Sequence, residues 1–347
     1  MDLAKYVPQE INVHNLSQAD FPRIAKDDKL IQKIRSAIKD VPTDQRLILG
    51  DSRKMDENGV GLILTSPPYW IVKKYDAVRG QLGLINDYEE FLCELDKIWK
   101  RCYDALIPGG RLVIVVGDVC LSRRKYGRHR VMPLHASIQE HCREIGYDNL
   151  APIIWYKISN VNFEVSKREN KGPFLGKPYE PNAIVKNDIE YILFQRKPGR
   201  YRSPNRTKRV LSIISVEEHH KYFQQIWNIQ GASTKYHPSP FPLELAERVV
   251  KMFSFVGDKV LDPFLGTGTT LLAAALWGRN GIGYEIDPKY VNHSYKRLRE
   301  DVRLLNANIQ RKKQSRKQGS AAPTPLLLSE EILDNDKHRL LVEREAL

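Results

Sequence analysis

The sequence predicts an α/β fold built on a mostly parallel sheet that is covered by helices on both faces. Short, almost continuous apolar runs bounded by Gly, Pro or Asp predict buried strands. Apolar residues at three- to four-residue spacing between these runs predict helices. The same pattern returns near residue 260, and 347 residues are enough for a large core that needs no disulfides.

The strands and helices follow in chain order. Seven apolar runs predict strands at residues 46–51, 61–69, 111–118, 151–157, 190–197, 259–264 and 281–287. Apolar residues from Tyr88 to Cys102 recur at helical spacing, and Pro108-Gly109-Gly110 ends that helix. The segment TTLLAAALWG predicts a second helix over residues 269–278.

Composition divides the chain into five parts. Residues 1–45 are an N-terminal extension, and residues 46–156 and 237–305 are the two halves of one sheet domain. Residues 157–236 are rich in Lys, Arg, Asn, Pro and Gly, which predicts a largely irregular insertion with one strand at 190–197. Residues 306–347 form a tail in which QRKKQSRKQGS predicts a mobile basic run, followed by an amphipathic end.

The charge balance predicts an anionic partner such as nucleic acid. The net charge is +13 with a pI near 9.4. Residues 151–236 contain 15 basic and 7 acidic side chains, and residues 296–319 contain 9 and 2. No apolar stretch is long enough for a membrane span, and the N-terminal residues lack an apolar export segment. The four cysteines lack metal-ligand spacing, so we expect reduced thiols, a cytoplasmic protein and no metal.

A glycine turn follows the strand predicted at 259–264. In VLDPFLGTGTT, Gly266 and Gly268 permit a tight turn and a close ligand approach at a helix N-terminus. Glu285 ends the next strand, where an acid can accept hydrogen bonds from both hydroxyl groups of a ribose. A third glycine is absent, and Asp262 would repel a pyrophosphate. The pattern predicts a nucleoside-type cofactor without a phosphate chain, with an ordinary turn as the alternative.

A second turn, TSPPYW, ends the strand predicted at 61–69. Its two prolines fix the backbone, so the Pro67 carbonyl group projects rigidly beside the Ser66 hydroxyl group. Both oxygens can accept hydrogen bonds from an amino group, and Tyr69 offers a face on which a base can stack. The alternative interpretation is a strand-ending turn with an aromatic plug.

Four segments occur together in this chain: TSPPYW, HPSPFPLELAERVVKMFS, DPFLGTGTT and YEID. With these segments, residues 45–300 resemble the DNA amino-methyltransferases, many of which belong to restriction-modification systems. The catalytic turn precedes the cofactor turn, as in the β group of that family. The resemblance implies a Rossmann-like S-adenosylmethionine-dependent methyltransferase with a seven-stranded sheet in circularly permuted motif order. In this order, the strand at 46–51 lies beside the strand at 281–287.

The resemblance also implies roles for single residues. The catalytic residues would be Ser66, Pro67, Pro68 and Tyr69. The cofactor would contact Asp51, Thr65, His237, Phe241, Asp262, Phe264, Gly266, Thr267, Gly268, Thr269, Glu285 and Ile286. Among these, Glu285 would hold the ribose, Asp51 would accept from the adenine amino group, and His237 and Phe241 would close the pocket. For Asp51 and His237, a strand-end turn and a loop histidine remain the structural alternatives.

The expected reaction is transfer of a methyl group from S-adenosylmethionine to an exocyclic amine of a base flipped out of duplex DNA. In this family, Ser at the first position of the motif is common among enzymes that methylate cytosine N4. Ser66, with Trp70 later in the motif, therefore favours cytosine N4 as the target. Adenine N6 is the alternative. Attack through carbon 5 of cytosine requires a cysteine nucleophile, and none of the four cysteines follows a proline.

Residues 157–236 interleave basic and aromatic residues, which predicts DNA recognition; a solvated basic loop is the alternative. The predicted DNA contacts are Trp70, Lys167, Arg168, Lys171, Lys177, Arg200, Arg202, Arg206, Lys208 and Arg209. The family also implies a cognate restriction endonuclease as a functional partner.

Three other classes of protein fit part of the pattern. An RNA or protein-amide methyltransferase can use the same turn, and a DNA-binding module can carry it without activity. A dehydrogenase fits the glycine turn but not TSPPYW.

Overall fold

The computed structural model describes residues 2–71, 76–157, 187–232 and 240–314. The strands are β1 (Thr43–Leu49), β2 (Val60–Thr65), β3 (Leu106–Val116), β4 (Val119–Leu121), β5 (Arg130–Met132), β6 (Asp148–Tyr156), β7 (Ile189–Arg196), β8 (Ile226–Asn228), β9 (Lys259–Asp262), β10 (Asn280–Glu285) and β11 (Ala307–Lys313). The helices are α1 (Asp20–Lys26), α2 (Asp28–Lys39), α3 (Tyr88–Ala105), α4 (Arg123–Tyr126), α5 (Leu134–Ile145), α6 (Arg206–Leu211), α7 (Val216–Tyr222), α8 (Leu243–Phe253), α9 (Thr269–Leu276) and α10 (Pro288–Asp301). In the described ranges, no helix is long and apolar enough to cross a membrane.

Nine of the described strands form one sheet in the order β11-β1-β10-β9-β2-β3-β7-β6-β8. From β11 to β3 all neighbours are parallel, whereas β7 is antiparallel to both β3 and β6. The prediction of a mostly parallel α/β sheet is therefore confirmed. All seven predicted strands are present, but the predicted number was too small because β8 and β11 add one strand at each side.

The sheet follows the circular order that the resemblance implies. β1 pairs in parallel with β10, and Leu49 lies opposite Glu285. A strand from the N-terminal part of the chain therefore ends beside the strand that carries the predicted ribose ligand. This pairing brings Asp51, which follows β1, to the same place as Glu285.

Both faces of the sheet are buried, as near-continuous apolar strands require. On β2, Leu62 and Leu64 pack on one side with α8 and α9, and Ile63 packs on the other side with α3. All three side chains have no exposed surface. Since successive side chains alternate between faces, helices must cover both sides, and α3 and α5 complete the second layer.

The basic tail begins differently from the prediction. Residues 307–313 are not a mobile run but form β11, in parallel register with the whole of β1. Ile309 supplies the reason, because it packs against the cluster that contains Leu47 and Val291. Gln314 then donates from its backbone to the Leu49 carbonyl group at 2.9 Å. Residues 315–347, with the expected amphipathic end, lie outside the described residues.

The predicted insertion is more regular than its composition indicates. Its described part, residues 187–232, contains β7, α6, α7 and β8. β7 corresponds to the strand predicted at 190–197, whereas the two helices and β8 were not predicted. Polar caps explain the helices: Asn205 caps α6, and Ser215 with Glu218 forms a capping box at α7.

The parallel strands define two edges of the sheet. We call the edge where β1, β10, β9, β2 and β3 end the carboxyl edge, and the opposite edge the amino edge. Lys157 and Asn187, which flank residues 158–186, also lie at the carboxyl edge, because Tyr156 pairs with Ile189 and Val116 pairs with Tyr191. Ligands of open α/β sheets bind at this edge.

Candidate active site

A cleft of about 620 Å³, measured with its solvent-open part, lies at the carboxyl edge. Its lining residues come from the ends of several strands and from residues 80–82. They are Gly50, Asp51, Ser52, Arg53, Ser66, Pro67, Pro68, Gly80, Gln81, Leu82, Ile98, Pro263, Phe264, Tyr284, Glu285, Ile286 and Tyr290. The cleft therefore brings together two sequence motifs that lie far apart along the chain.

Asp262 lies beneath this wall rather than on it. Its carboxylate accepts hydrogen bonds from the Thr65 hydroxyl group at 2.6 Å and from the Thr270 hydroxyl group at 2.7 Å. The Phe264 backbone N–H group donates a third, at 3.0 Å. Asp262 is 1% exposed, and burial raises its pKa to about 6. The acid predicted to contact the cofactor instead joins the end of β2 to the start of α9.

The glycine turn is held by the next strand and helix. The Gly266 N–H group donates to Glu285 Oε2 at 2.9 Å, and the Ser294 hydroxyl group donates to the Gly266 carbonyl group at 2.6 Å. Gly268 has a φ of 80°, and a Cβ there would lie 3.2 Å from Ser294 Cβ. Both the left-handed backbone and the close approach therefore require glycine at position 268. Thr267 and Thr269 accept hydrogen bonds from Arg297.

Glu285 lies on the cleft wall next to Ile286. Its two carboxylate oxygens accept from the Gly266 and Asp287 N–H groups, each at 2.9 Å. Burial nevertheless raises the pKa of Glu285 to about 7. Each oxygen retains acceptor capacity toward the cleft, because a carboxylate has about four lone-pair sites. This arrangement matches an acid that awaits hydroxyl donors.

Asp51 is engaged by a neighbour that sequence analysis did not identify. Arg53 donates to both Asp51 oxygens through its side chain at 2.9–3.1 Å, and its N–H group donates to Oδ1 at 3.0 Å. Arg53 also pairs with Glu94 and donates to the Gly80 carbonyl group at 3.1 Å. An adenine amino group could bind Asp51 only if Arg53 moved. The Asp51 backbone N–H group donates to Gln314 Oε1 at 2.9 Å.

The TSPPYW turn contributes Ser66, Pro67 and Pro68 to the cleft. Tyr69 is 6% exposed, so the described residues cover the ring on which a base was expected to stack. The next residue, Trp70, has a φ of 45°, which is strained for a residue other than glycine. Trp70 is 7% exposed and packs edge-on against Tyr88 at 5.1 Å. Trp70 is a core residue here, not the DNA contact that the sequence predicted.

A polar chain extends from Ser66 into the insertion. The Ser66 hydroxyl group donates to Tyr69 Oη at 3.4 Å, and Tyr69 Oη donates to Glu190 Oε2 at 2.9 Å. Glu190 is 6% exposed and forms an ion pair with Lys157. Neither Glu190 nor Lys157 was predicted as a site residue. They stand on β7 and after β6, and the antiparallel pairing that aligns them is not visible in the sequence.

Some of the residues predicted to contact the cofactor line the cleft, and others do not. Phe241 is 8% exposed and packs with Leu62 and Val113 on the face covered by α8 and α9, so it does not line the cleft. Thr65 is fully buried beside Asp262. His237 lies outside the described residues. Four of the predicted cofactor residues do line the cleft: Asp51, Phe264, Glu285 and Ile286.

The predicted DNA contacts separate into two groups. Lys167, Arg168, Lys171 and Lys177 lie outside the described residues. The second group lies at the amino edge, away from Ser66, and consists of Arg200, Arg202, Arg206, Lys208 and Arg209. There Arg202 forms an ion pair with Asp258 at 2.7 Å, and Lys208 lies 3.8 Å from the same carboxylate.

Arg206 and Arg209 bind the N-terminal segment. Arg206 donates to the His14 carbonyl group, and Arg209 lies over the Phe21 ring at 3.8 Å. The predicted DNA contacts at the amino edge therefore lie away from the cleft, and four of them contact other parts of the chain. Sequence composition does not show at which edge of the sheet a loop lies.

Several lining residues were not predicted. They are Gly50, Ser52, Arg53, Gly80, Gln81, Leu82, Ile98, Pro263, Tyr284 and Tyr290. Proximity to a predicted residue could have suggested Gly50, Ser52, Pro263 and Tyr284, since each adjoins one. No sequence signal marks residues 80–82, because a loop brings them over the cleft.

Fold and site together define an α/β protein with a nucleoside-type cleft beside a Ser-Pro-Pro-Tyr turn. A family model for N6/N4-type DNA methylases matches residues 60–296. The type II methyltransferase M.MjaI of Methanocaldococcus jannaschii is 38% identical over 282 residues, covering 72% of this chain and 89% of the relative. The type II methyltransferase M.MthZI of Methanothermobacter thermautotrophicus is 33% identical, and the match covers 76% of this chain and 78% of the relative. The chain belongs to the DNA N6/N4 methylase family, which confirms the resemblance.

Two solved structures are similar to this chain. TTHA0409 of Thermus thermophilus, in complex with S-adenosyl-L-methionine, is 49% identical with a TM-score of 0.62. The match covers 76% of this chain and 97% of that structure. PvuII DNA methyltransferase, which is cytosine-N4-specific, has a TM-score of 0.52 at 20% identity over 77% of this chain and 95% of its own. This second likeness shows the fold alone.

The pKa of Asp262 predicts a pH-dependent stability. Because this pKa rises from 3.8 to about 6 on folding, the folded protein binds the proton more tightly than the unfolded chain. The contribution of Asp262 to the free energy of unfolding therefore falls by about 3 kcal/mol as the pH rises from about 4 to about 6. Asp262→Asn removes this proton equilibrium, and Thr270 can then accept from the amide while donating to the Leu64 carbonyl group at 3.2 Å.

Urea unfolding of the wild type and Asp262→Asn between pH 4 and pH 7 measures this contribution. We expect the wild type to lose stability relative to the variant across this interval. Parallel stability curves for the two proteins would show that Asp262 is ionised at pH 4 in the folded state and would contradict the argument.

Proposed function

We propose that this protein transfers a methyl group from S-adenosylmethionine to the N4 amine of a cytosine flipped out of duplex DNA. One observation carries the proposal: Ser66 and Pro67 line the same cleft as Glu285 and Ile286. Two acceptors suited to an amine thus face the nucleoside-type site. The enzyme class, a DNA amino-methyltransferase, follows from the family.

The cleft residues fit S-adenosylmethionine. Glu285 has acceptor capacity for ribose hydroxyl groups, and Ile286, Phe264, Leu82 and Ile98 offer apolar surface for the adenine ring. Among the described lining residues Arg53 is the one cation, and Asp51 and Glu94 neutralise it. The cleft therefore suits a nucleoside without phosphates. When bound, S-adenosylmethionine supplies an electrophilic methyl group on a sulfonium centre.

Ser66 and Pro67 would orient the target amine. The lone pair of an exocyclic amine is delocalised into the ring, so the amine is a weak nucleophile. Hydrogen bonds from its two N–H groups to the Ser66 hydroxyl oxygen and the Pro67 carbonyl oxygen would favour a tetrahedral nitrogen. The rigid Pro67-Pro68 backbone would hold both acceptors in place, so orientation and electrostatics supply most of the catalysis.

The Tyr69–Glu190–Lys157 chain would position this turn. Ser66 donates to Tyr69 Oη, so the hydroxyl hydrogen points away from the cleft and the oxygen lone pairs remain for the amine. Glu190 accepts from Tyr69 and is itself paired with Lys157. A charge-assisted hydrogen bond in a buried setting fixes the direction of the whole chain. Glu190 is therefore a positioning residue for Ser66.

The choice of cytosine rests on Ser66 as the first motif residue, with adenine N6 as the competing product. A restriction endonuclease that cuts the same site belongs to this proposal as a functional partner. The type II names of the relatives M.MjaI and M.MthZI support it.

The methylated nucleoside identifies the target base. DNA from a host that expresses the protein should contain N4-methylcytosine, as measured by mass spectrometry of digested nucleosides. Ser66→Ala should lower kcat by about 100-fold, because one of two amine acceptors is lost, while S-adenosylmethionine affinity stays unchanged. N6-methyladenine without N4-methylcytosine would overturn the choice of base, and full activity of Ser66→Ala would overturn the role of Ser66.

A double-mutant cycle tests the positioning chain. Tyr69→Phe and Glu190→Gln should each lower kcat by roughly 10-fold, and the double variant should lose no more than either one, since both act through one hydrogen bond. Tyr88→Phe is the matched control, because the Tyr88 hydroxyl group donates to the Ser137 hydroxyl group at 3.1 Å and takes no part in the Tyr69–Glu190–Lys157 chain. Additive losses would show that Glu190 acts independently of Tyr69.

A further inference from the structure

A cationic hairpin follows the strand that ends next to the catalytic turn. β4 and β5 pair in antiparallel register, with α4 between them. Residues 119–132 contain five Arg or Lys residues and no Asp or Glu. Residues 1–150 as a whole are near neutral, so this local excess does not appear in the charge of that half of the chain.

The inner side of the hairpin is anchored in the core. Val119 has no exposed surface and Leu121 is 4% exposed. Both belong to the same apolar cluster as Tyr69 and Trp70, and Tyr126 packs against that cluster. The hairpin is therefore held in a defined place beside the TSPPYW turn.

The outer side presents unneutralised charge. Arg124, Arg128 and Arg130 are exposed, and none forms an ion pair with the described part of the chain. Asp118, at the base of the hairpin, is bound instead to His135 Nδ1 at 2.7 Å. At the amino edge, by contrast, Arg202 is neutralised by Asp258.

The location of the hairpin suits a large anionic partner at the cleft. A Cβ added at Gly117, just before the hairpin, would lie 3.5 Å from Tyr69 Cε2. Strands of this length extend about 10 Å beyond that point. A duplex carries about six phosphate charges over the same distance.

We propose that Arg124, Arg128 and Arg130 bind the phosphate backbone of duplex DNA beside the flipped base. This inference rests on the proposed function, because it takes DNA as the substrate. The contacts are electrostatic and independent of base sequence, since exposed guanidinium groups that form no ion pair within the described residues meet phosphates as charges. The hairpin would hold the duplex while Ser66 receives the base.

Fluorescence anisotropy with a mixed-sequence duplex of about 30 base pairs measures the effect. The triple variant Arg124→Gln, Arg128→Gln, Arg130→Gln should bind at least about 10-fold more weakly at 0.1 M salt. The slope of log K against log[salt] should fall in magnitude by about 2 to 3. Affinity for S-adenosylmethionine should stay unchanged, which also shows that the variant is folded.

Two further variants sharpen the test. The control is a triple variant that removes three exposed charges from α1 and α2: Lys26→Gln, Lys29→Gln and Lys39→Gln. Its affinity for DNA should be within about 2-fold of that of the wild type. Replacing the three hairpin arginines with Lys should restore most of the binding, because a phosphate contact needs charge rather than a guanidinium plane.

Equal DNA affinity and salt slope in the wild type and the Gln variant would overturn the hairpin's role. Loss of binding in the Lys variant would point to base reading and overturn the phosphate contact. If the wild type itself binds and methylates no duplex DNA, the proposed function fails, and this outcome is distinct from failure of the hairpin alone.

Discussion

The candidate active site depends on one buried carboxylate, Asp262, which links the strand that ends in the TSPPYW turn to the helix that follows the glycine turn. Thr65 donates to one of its oxygens at 2.6 Å and Thr270 to the other at 2.7 Å. A buried carboxylate without partners would be strongly unfavourable, so its hydrogen bonds fix the relative position of both donors. Since Thr65 immediately precedes Ser66, the tie places the predicted amine acceptor relative to the cofactor wall.

Positive charge acts in two different ways in this protein. At the amino edge, Arg202 forms an ion pair with Asp258, and Arg209 donates to Gln18 in the N-terminal segment. Both contacts stabilise packing. At the carboxyl edge, the β4–β5 hairpin leaves its arginines exposed. The net charge of +13 therefore does not locate the partner, and neither does its distribution along the chain. What distinguishes structural from available charge is whether the cation already contacts other groups of the protein.

Apolar runs predicted the parallel sheet, two compact motifs predicted the cleft residues Ser66 and Glu285, and the family resemblance implied the circular order of the strands. These features are local in sequence, or follow from strand order alone. Glu190 was missed because its role arises from antiparallel pairing across an insertion. β11 was missed because its one large apolar side chain, Ile309, is only partly buried and is surrounded by polar and basic residues. Arg53 gave no signal, since its contacts with Asp51, Glu94 and Gly80 exist only after folding.

The affinity of Thr65→Val for S-adenosylmethionine, measured by isothermal titration calorimetry, tests the central claim most directly. Thr65 is fully buried, does not line the cleft and donates to Asp262, so the variant removes that hydrogen bond without removing a group from the cleft. Loss of a hydrogen bond to a buried charge predicts about 10-fold weaker binding and a lower kcat in the folded variant. Wild-type affinity and kcat in Thr65→Val would contradict the claim that Asp262 couples the two turns.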